Sequence, residues 1–381
     1  MAPIANYEPT LTGNELKYIK ECIDTRWVSS AGPYVNRFEK EFAAYHGKDA
    51  AVAVASGTAA LHLGLLAVGV KRGDYVISPT LTFIGSVNPI RYCGADPIFI
   101  DVDENHLAIN TDDLRTFLQT QTKKTKQGLV YKKDKRPIRA IMVVHLYGHP
   151  AAMDEILTLA KQYRLAVVED AAESLGARYK NRLVGTMGDV GCFSFNGNKI
   201  ITTGGGGMIL SSDTKKLNFC KHLSTQAKKE DPFTFFHDAM GFNYRLSNIS
   251  AAFGVAQMES LNEFIEKKHK QAQFYRELFS DDDKCQILQE SENCRSTYWM
   301  ILLQFKKGTK DIFNNMRALA AKGVGIRAVW FPIHKLPLYK DAVYYGGRKA
   351  EKIYQSTFCL PSSVNLTQDD MQRVAQLIKD I

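Results

Sequence analysis

The sequence has little of what would place it in a membrane or in an oxidising compartment. Seven cysteines, an odd number, are spread over 381 residues without a CxxC pair, so neither a disulfide framework nor a metal site is predicted. No apolar run reaches about 18 residues, the length that a membrane-spanning helix needs. The amino terminus lacks the basic-then-apolar layout of a secretory signal. We therefore expect a cytoplasmic protein without membrane insertion.

One lysine stands in an unusual setting. Lys199 lies in the segment Ser194–Met208, where small polar residues precede it and four glycines, Gly204–Gly207, follow. Glycines allow a backbone to pass close to a bound molecule. A lysine amine that is partly desolvated in such a pocket has a lowered pKa and can attack a carbonyl to form a Schiff base. Alone, the glycine run equally fits a flexible turn between two strands.

A second candidate is the carboxylate of Asp170. It ends the short apolar segment Leu165–Asp170, which has the pattern of a buried parallel strand. Ligands of open α/β sheets bind at the carboxyl ends of such strands. A helix cap is the competing interpretation of an aspartate in this position.

A third candidate is an anion site. The apolar segment Val52–Ala55 leads into Ser56, Gly57 and Thr58 and then into the helix-like stretch Ala59–Leu66. Free backbone N–H groups, the helix dipole and two hydroxyls would together hold a phosphate. The GxxxxGK[ST] spacing of a nucleotide P-loop is absent, so a P-loop is excluded.

These three features point to one ligand that carries a phosphate, a ring and an aldehyde. Pyridoxal 5′-phosphate (PLP) supplies all three. Asp170 would pair with the pyridinium nitrogen and keep it protonated. Phe83 would offer a face on which the ring stacks, although an ordinary core aromatic fits the same sequence.

The chain resembles the DegT/DnrJ/EryC1/StrS family of PLP-dependent nucleotide-sugar aminotransferases, which have fold type I. The resemblance runs from Tyr7 to Ser363, and three motifs carry it: Ser56–Leu61, Glu169–Glu173 and Asn198–Lys199. It implies an α/β fold, with a large PLP-binding domain (1–250) around a mostly parallel seven-stranded sheet and a smaller C-terminal α+β domain (251–381). The alternation of helical and extended patterns through the first 250 residues agrees with this fold.

The resemblance also implies roles for single residues. Lys199 would be the Schiff-base lysine and proton shuttle, with Asp170 at the ring nitrogen and Glu173 near the phenolic oxygen. Gly57, Thr58 and Ser194 would bind the phosphate, and Asn243 would reach it from the other subunit, so a homodimer with a shared active site is expected. Candidate substrate contacts are Ser29, Arg327 and His334, of which the last two equally fit a surface arginine and a buried histidine.

The implied reaction is a ping-pong transamination, in which the cofactor alternates between PLP and its amine form (PMP). L-Glutamate would donate nitrogen to C4 of a nucleotide-linked 4-keto-6-deoxy sugar. Ser194–Thr203 and Ser224–Ala227 resemble enzymes that aminate UDP-2-acetamido-2,6-dideoxy-4-keto-hexose on the way to bacillosamine. Phe331–His334 and His145–Pro150 resemble perosamine synthases, which use GDP-4-keto-6-deoxymannose. We expect the UDP sugar, with the GDP sugar as the alternative.

Other functions remain open at this level. Amination at C3 depends on how a pocket orients the hexose. A sugar dehydratase of the same family would carry histidine in place of Lys199. A cofactor-sensing regulator is disfavoured because no helix-turn-helix pattern is appended.

The net charge of +9 is concentrated in residues 121–139, which hold eight Lys and Arg against Asp134 alone. We expect an exposed polar loop or hairpin here. A docking patch for nucleotide-sugar phosphates or for a membrane surface is the alternative. The segment has one aromatic residue, Tyr131, and no accompanying motif, so nucleic acid binding is not expected. The resemblance implies a shorter connection at this place, so the segment departs from the family's usual pattern.

Overall fold

The computed structural model describes residues 2–11, 13–229, 231, 233–309 and 311–380. The helices are α1 (Glu15–Asp24), α2 (Pro33–Tyr45), α3 (Gly57–Ala67), α4 (Asn88–Tyr92), α5 (Thr111–Gln121), α6 (Met153–Tyr163), α7 (Thr214–Ser224), α8 (Asn248–Leu278), α9 (Ile312–Ala321), α10 (Lys349–Ser356) and α11 (Gln368–Lys379). The strands are β1 (Ala51–Val54), β2 (Tyr75–Pro79), β3 (Asp96–Ile100), β4 (Thr122–Thr125), β5 (Gly128–Tyr131), β6 (Pro137–Val144), β7 (Ala166–Asp170), β8 (Arg178–Tyr179), β9 (Arg182–Leu183), β10 (Val190–Ser194), β11 (Gly207–Leu210), β12 (Cys285–Ile287), β13 (Cys294–Arg295), β14 (Ile301–Phe305), β15 (Arg327–Ala328), β16 (Val343–Tyr345) and β17 (Thr357–Leu360).

A ten-stranded sheet forms the centre of the molecule. Its strand order is β1-β11-β10-β7-β6-β2-β3-β16, and the β4–β5 hairpin joins it at β6. The pairs from β10 through β7, β6, β2 and β3 to β16 are parallel, whereas β11 is antiparallel to both of its neighbours. The predicted α/β fold is confirmed. The sheet is larger than the expected seven strands because β16 and the hairpin extend it.

Helices cover both faces of this sheet, as the side chains of β6 show. Met142 and Val144 point into a core that includes residues of α3, whereas Ile141 and Val143 point into a second core with residues of α5 and α6. All four side chains are buried. A strand that is apolar on both faces requires a cover on each, which explains the continuous apolar run of β6.

The longest helix, α8, leads from the large sheet to a smaller antiparallel sheet with the order β12-β14-β17-β15. Ala272 and Tyr275, near the end of α8, pack in one core with residues of α9 and α11. β16, from the same part of the chain, lies in the large sheet beside β3. The boundary at residue 250 stays a prediction. None of the helices in the described part of the chain is both long enough and apolar enough to cross a membrane.

Candidate active site

Lys199 lies in the loop that joins β10 to β11. Its backbone is fixed because Tyr7 Oη donates to the Lys199 carbonyl at 2.9 Å and Trp299 Nε1 donates to the Asn198 carbonyl at 2.5 Å. Lys199 Nζ lies 3.9 Å from the centroid of the Trp299 ring. Burial lowers the pKa of Lys199, although the negative charges of Glu173 and Asp170 oppose this shift. The amine is therefore held at a fixed place with a pKa below that of an ordinary lysine.

Glu173 faces the lysine. Its Oε1 lies 3.6 Å from Lys199 Nζ and accepts a hydrogen bond from Trp330 Nε1 at 3.2 Å. The Tyr147 N–H donates to Oε2 at 2.9 Å. Burial raises the pKa of Glu173, and the Lys199 charge and these hydrogen bonds offset part of that rise. Burial thus favours the neutral form of both groups, so the pair is suited to exchange a proton.

Asp170 ends β7 at the carboxyl edge of the sheet, as the sequence predicts. Ser86 Oγ donates to its Oδ2 at 2.7 Å, and the Ala172 N–H donates to Oδ1 at 3.0 Å. Burial raises the pKa of Asp170, and the Ser86 bond, the Ala172 bond and Lys199 work against that rise. The side chain is 4% exposed, so a charged Asp170 calls for a cationic partner from a ligand.

The first turn of α3 begins where the sequence predicts an anion site. Ser56 caps the helix by accepting a hydrogen bond from the Ala59 N–H at 3.0 Å. The N–H groups of Gly57 and Thr58 have no carbonyl four residues earlier to which they can donate. A methyl group on Gly57 would lie 2.7 Å from Ser194 Cβ, so only glycine allows the two loops to approach this closely.

These residues line one cavity of about 430 Å³. Eight of the predicted site residues border it: Gly57, Thr58, Phe83, Asp170, Glu173, Ser194, Lys199 and Arg327. A phosphate-sized anion at α3, a flat ring along Phe83 and an electrophile at Lys199 fit this arrangement. The residues present therefore match a PLP-sized ligand.

The structure does not bring Ser29 and Asn243 to this cavity. Asn243 is exposed and borders a different cavity of about 920 Å³, with Lys221 and Arg245. Ser29 is also exposed, and its carbonyl accepts a hydrogen bond from the Asn248 N–H at 2.6 Å. Neither residue reaches Lys199 of its own chain.

His334 lies behind the cavity and does not border it. Its Nδ1 is 2.6 Å from Thr80 Oγ1, and its ring stacks on Tyr344 at a centroid distance of 4.0 Å. Burial lowers the pKa of His334. This is the environment of a packed histidine, the alternative that the sequence left open.

Sequence reasoning missed two tryptophans in the wall of the cavity. Trp299 contacts Lys199 Nζ. Trp330 binds Glu173, and its ring centroid lies 4.9 Å from that of Phe83. Tyr147 stacks against both tryptophan rings. The rarity of tryptophan, three in the whole chain, was the one available signal.

Comparison with known proteins places this site in context. The chain matches the family model described as the DegT/DnrJ/EryC1/StrS aminotransferase family over residues 9–379. GDP-perosamine synthase of Escherichia coli O157:H7 is 40% identical over 382 residues, which cover 100% of this chain and 99% of the relative. GDP-perosamine synthase of Vibrio cholerae is 35% identical, with the same coverage of 100% and 99%. The crystal structure of the aminotransferase TlmJ from Streptoalloteichus hindustanus aligns with a TM-score of 0.89 and 26% identity, covering 100% of this chain and 98% of that one.

Proposed function

The chain belongs to the DegT/DnrJ/EryC1/StrS aminotransferase family, and we propose on that premise that it moves an amino group from L-glutamate to C4 of GDP-4-keto-6-deoxymannose with PLP as cofactor. The observation that carries this proposal is the convergence of three groups on one cavity. Lys199, Asp170 and the first turn of α3 border the same space of about 430 Å³. Each of them matches one part of PLP.

The chain's own residues hold the cofactor at its two ends. The α3 N–H groups and the hydroxyls of Thr58 and Ser194 receive the phosphate. The carboxylate of Asp170 holds a proton on the ring nitrogen, which overcomes the cost of keeping that carboxylate charged while it is buried. When bound, PLP supplies an aldehyde for the lysine and a ring that accepts electrons from the substrate Cα.

Lys199 and Glu173 handle the protons. An uncharged Lys199 amine is a nucleophile, and once released it accepts and returns a proton at Nζ. Glu173 Oε1 lies 3.6 Å from that nitrogen, so it can hold a proton beside it. Trp299 and Trp330 cover this pair with apolar surface, which limits the access of water.

The relatives favour the GDP sugar over the UDP sugar that the sequence motifs suggested. Two full-length relatives at 40% and 35% identity are named GDP-perosamine synthase. The likeness to these relatives extends over the whole chain, whereas the UDP prediction depended on two short segments, Ser194–Thr203 and Ser224–Ala227. The bacillosamine-type reaction therefore becomes the second candidate.

We also propose that the active site is shared between two copies of the chain. Asn243 lies outside the Lys199 cavity of its own chain. The segment before it exposes Phe233 (90%), Phe235 (82%) and Met240 (86%). A patch of large exposed apolar side chains marks an interaction surface. A second copy seated there would bring Asn243 toward the partner's phosphate cradle.

The test is a comparison of two substrates. Purified protein with PLP and L-glutamate is incubated separately with GDP-4-keto-6-deoxymannose and with UDP-2-acetamido-2,6-dideoxy-4-keto-hexose, and the amino sugars are quantified by mass spectrometry. The proposal predicts a higher kcat/KM for the GDP sugar. Preferred amination of the UDP sugar would restore the second candidate, and 2-oxoglutarate formation without an amino sugar would reject both.

A further inference from the structure

The β4–β5 hairpin and the turn that follows it carry a concentrated positive charge. We define the basic hairpin as residues 122–135. Its six lysines are all exposed: Lys123, Lys124, Lys126, Lys132, Lys133 and Lys135. Asp134 is its one acidic residue, and the Asp134 carboxylate accepts a hydrogen bond from Tyr75 Oη at 2.8 Å.

The lysines differ from the arginines that follow them. Arg139 pairs with Asp74 at 3.2 Å, and Arg136 pairs with Asp96. Within the described ranges, none of the six lysines forms an ion pair with a carboxylate. Lys124 instead lies 4.6 Å from the ring centroid of Tyr163, and Lys132 donates to the Thr120 carbonyl at 2.7 Å. The hairpin therefore presents cations without counter-charges.

The hairpin is attached firmly enough to present these charges as a surface. Leu129 is buried in the core on the α5 and α6 side of the large sheet, and the Tyr131 ring stacks on Phe117 at 6.0 Å. Leu129 and Val130 pair with the first residues of β6. The last six residues of α5 before the hairpin, 116–121, are uncharged. Lys161 of α6 and Arg164, which directly follows α6, are both exposed near Tyr163 in the chain.

The hairpin lies far from the Lys199 cavity. It joins the large sheet at the start of β6, whereas Val144, the last residue of β6, borders the cavity. Eight residues of strand separate these two ends by roughly 23 Å. The charges therefore do not contact a substrate in the cavity, and their function must be separate.

We propose that the basic hairpin docks the enzyme on the surface of a membrane that contains anionic phospholipids. Clustered lysines that do not form a pocket bind surfaces with a high density of negative charge. The anionic headgroups of a phospholipid bilayer form such a surface. A site for single-stranded nucleic acid would offer exposed aromatic rings for base stacking. Tyr131, the aromatic residue of the hairpin, is instead packed against Tyr75 and Phe117. In the docked orientation the Lys199 cavity faces away from the bilayer.

Sedimentation with vesicles tests this docking. Vesicles of phosphatidylcholine alone are compared with vesicles that also contain phosphatidylglycerol, at low and high salt. The chain as it stands binds only the anionic vesicles, and high salt releases it because the attraction is screened. The test variant changes Lys123, Lys126, Lys133 and Lys135 to Gln, and its partition coefficient falls roughly ten-fold or more. The matched control variant changes four exposed lysines elsewhere to Gln: Lys40, Lys270, Lys307 and Lys352.

Both variants lose four positive charges, so a difference in their binding to vesicles reports where in the chain those charges lie. Binding by the control variant within about two-fold of the unchanged chain supports the docking surface. Equal loss of vesicle binding in both variants would show that overall charge controls the binding, and it would overturn the proposal. Failure of the unchanged chain to bind anionic vesicles would do so too, as would release by inorganic phosphate at constant ionic strength or hairpin-dependent binding to duplex RNA alone. Both variants keep full aminotransferase activity, which shows that they fold.

Discussion

Lys199 Nζ lies 3.6 Å from Glu173 Oε1, inside a cavity where burial disfavours the charge of either group. The carboxylate stabilises the ammonium form of the lysine, while desolvation destabilises it. The two effects have opposite signs, so the pair adjusts how readily the lysine gives up its proton. Glu173 therefore influences the protonation of Lys199, in addition to its proposed contact with the phenolic oxygen of PLP.

Replacing Glu173 by Gln should lower the pKa of Lys199. The negative charge that raises this pKa is removed, and the desolvation that lowers it remains. In cofactor-free protein, a reagent that acylates amines labels Lys199 at a rate that rises with pH, because the lysine amine loses its proton. The profile should therefore shift to lower pH in Glu173→Gln, as read from the mass of the labelled peptide. Glu266→Gln, on the exposed surface, is the control and leaves the profile unchanged. A shift to higher pH would contradict this account.

Replacing Lys199 by Ala should stop turnover without abolishing cofactor binding. The nucleophile and proton carrier is lost, which costs roughly 10⁴-fold or more in rate. The proposed phosphate site at Gly57, Thr58 and Ser194 is unchanged in this variant. Product formation and equilibrium dialysis with PLP measure the two properties separately. Lys267→Ala, on the surface, should match the unchanged chain. Turnover in Lys199→Ala within ten-fold of the unchanged chain would rule out this role.

Replacing Gly57 by Ala should destabilise the cofactor-free protein by about 1–3 kcal/mol, because the new methyl group meets Ser194 Cβ at 2.7 Å. Adding Ser194→Gly removes that clash and should recover most of the loss. Urea unfolding of the single and double variants measures both effects. Gly197→Ala places its methyl group where no atom lies within 4 Å, so its effect should stay within about 0.5 kcal/mol. Equal stability of Gly57→Ala and Gly197→Ala would contradict the close approach.

Mixing two inactive variants should restore activity if the site is shared. Asn243→Asp places a negative charge beside the partner's phosphate cradle, and Lys199→Ala removes the amine. A heterodimer of the two variants holds one intact site, so a statistical mixture should regain about a quarter of full activity. The measurement is the rate after the variants are mixed, unfolded and refolded together. Asn243→Asp that is fully active alone, or a mixture without recovery, would argue against a shared site.

The sequence predicted the parts of the site that local rules govern. Parallel strands expose their carboxyl ends at one edge, and a helix that begins after a strand carries free N–H groups, so Asp170 and Gly57 were expected near each other. Both border one cavity in the structure. The small polar residues before Lys199 and the four glycines after it likewise allowed this lysine to be singled out.

Packing between distant parts of the chain determines the other features of the site, and no local sequence pattern reveals that packing. Trp330 follows Lys199 by more than a hundred residues in the chain, yet it binds Glu173, which faces that lysine. His334 was predicted as a substrate contact or a packed histidine, and in the structure it contacts Thr80 and Tyr344 and does not border the cavity. Asn243 lies outside the cavity of its own chain, and its proposed role at the phosphate depends on a second copy.

The most direct test of the central claim follows the nitrogen atom. The protein is incubated with PLP, L-glutamate labelled with ¹⁵N and GDP-4-keto-6-deoxymannose, and the sugar nucleotide is isolated for mass spectrometry and NMR. The account predicts a product with one ¹⁵N at C4 of the hexose, and no such product from Lys199→Ala. An unlabelled amino sugar or a dehydrated sugar would contradict it. An unchanged sugar, in the presence of PLP-loaded protein that reacts with L-glutamate, would contradict it as well.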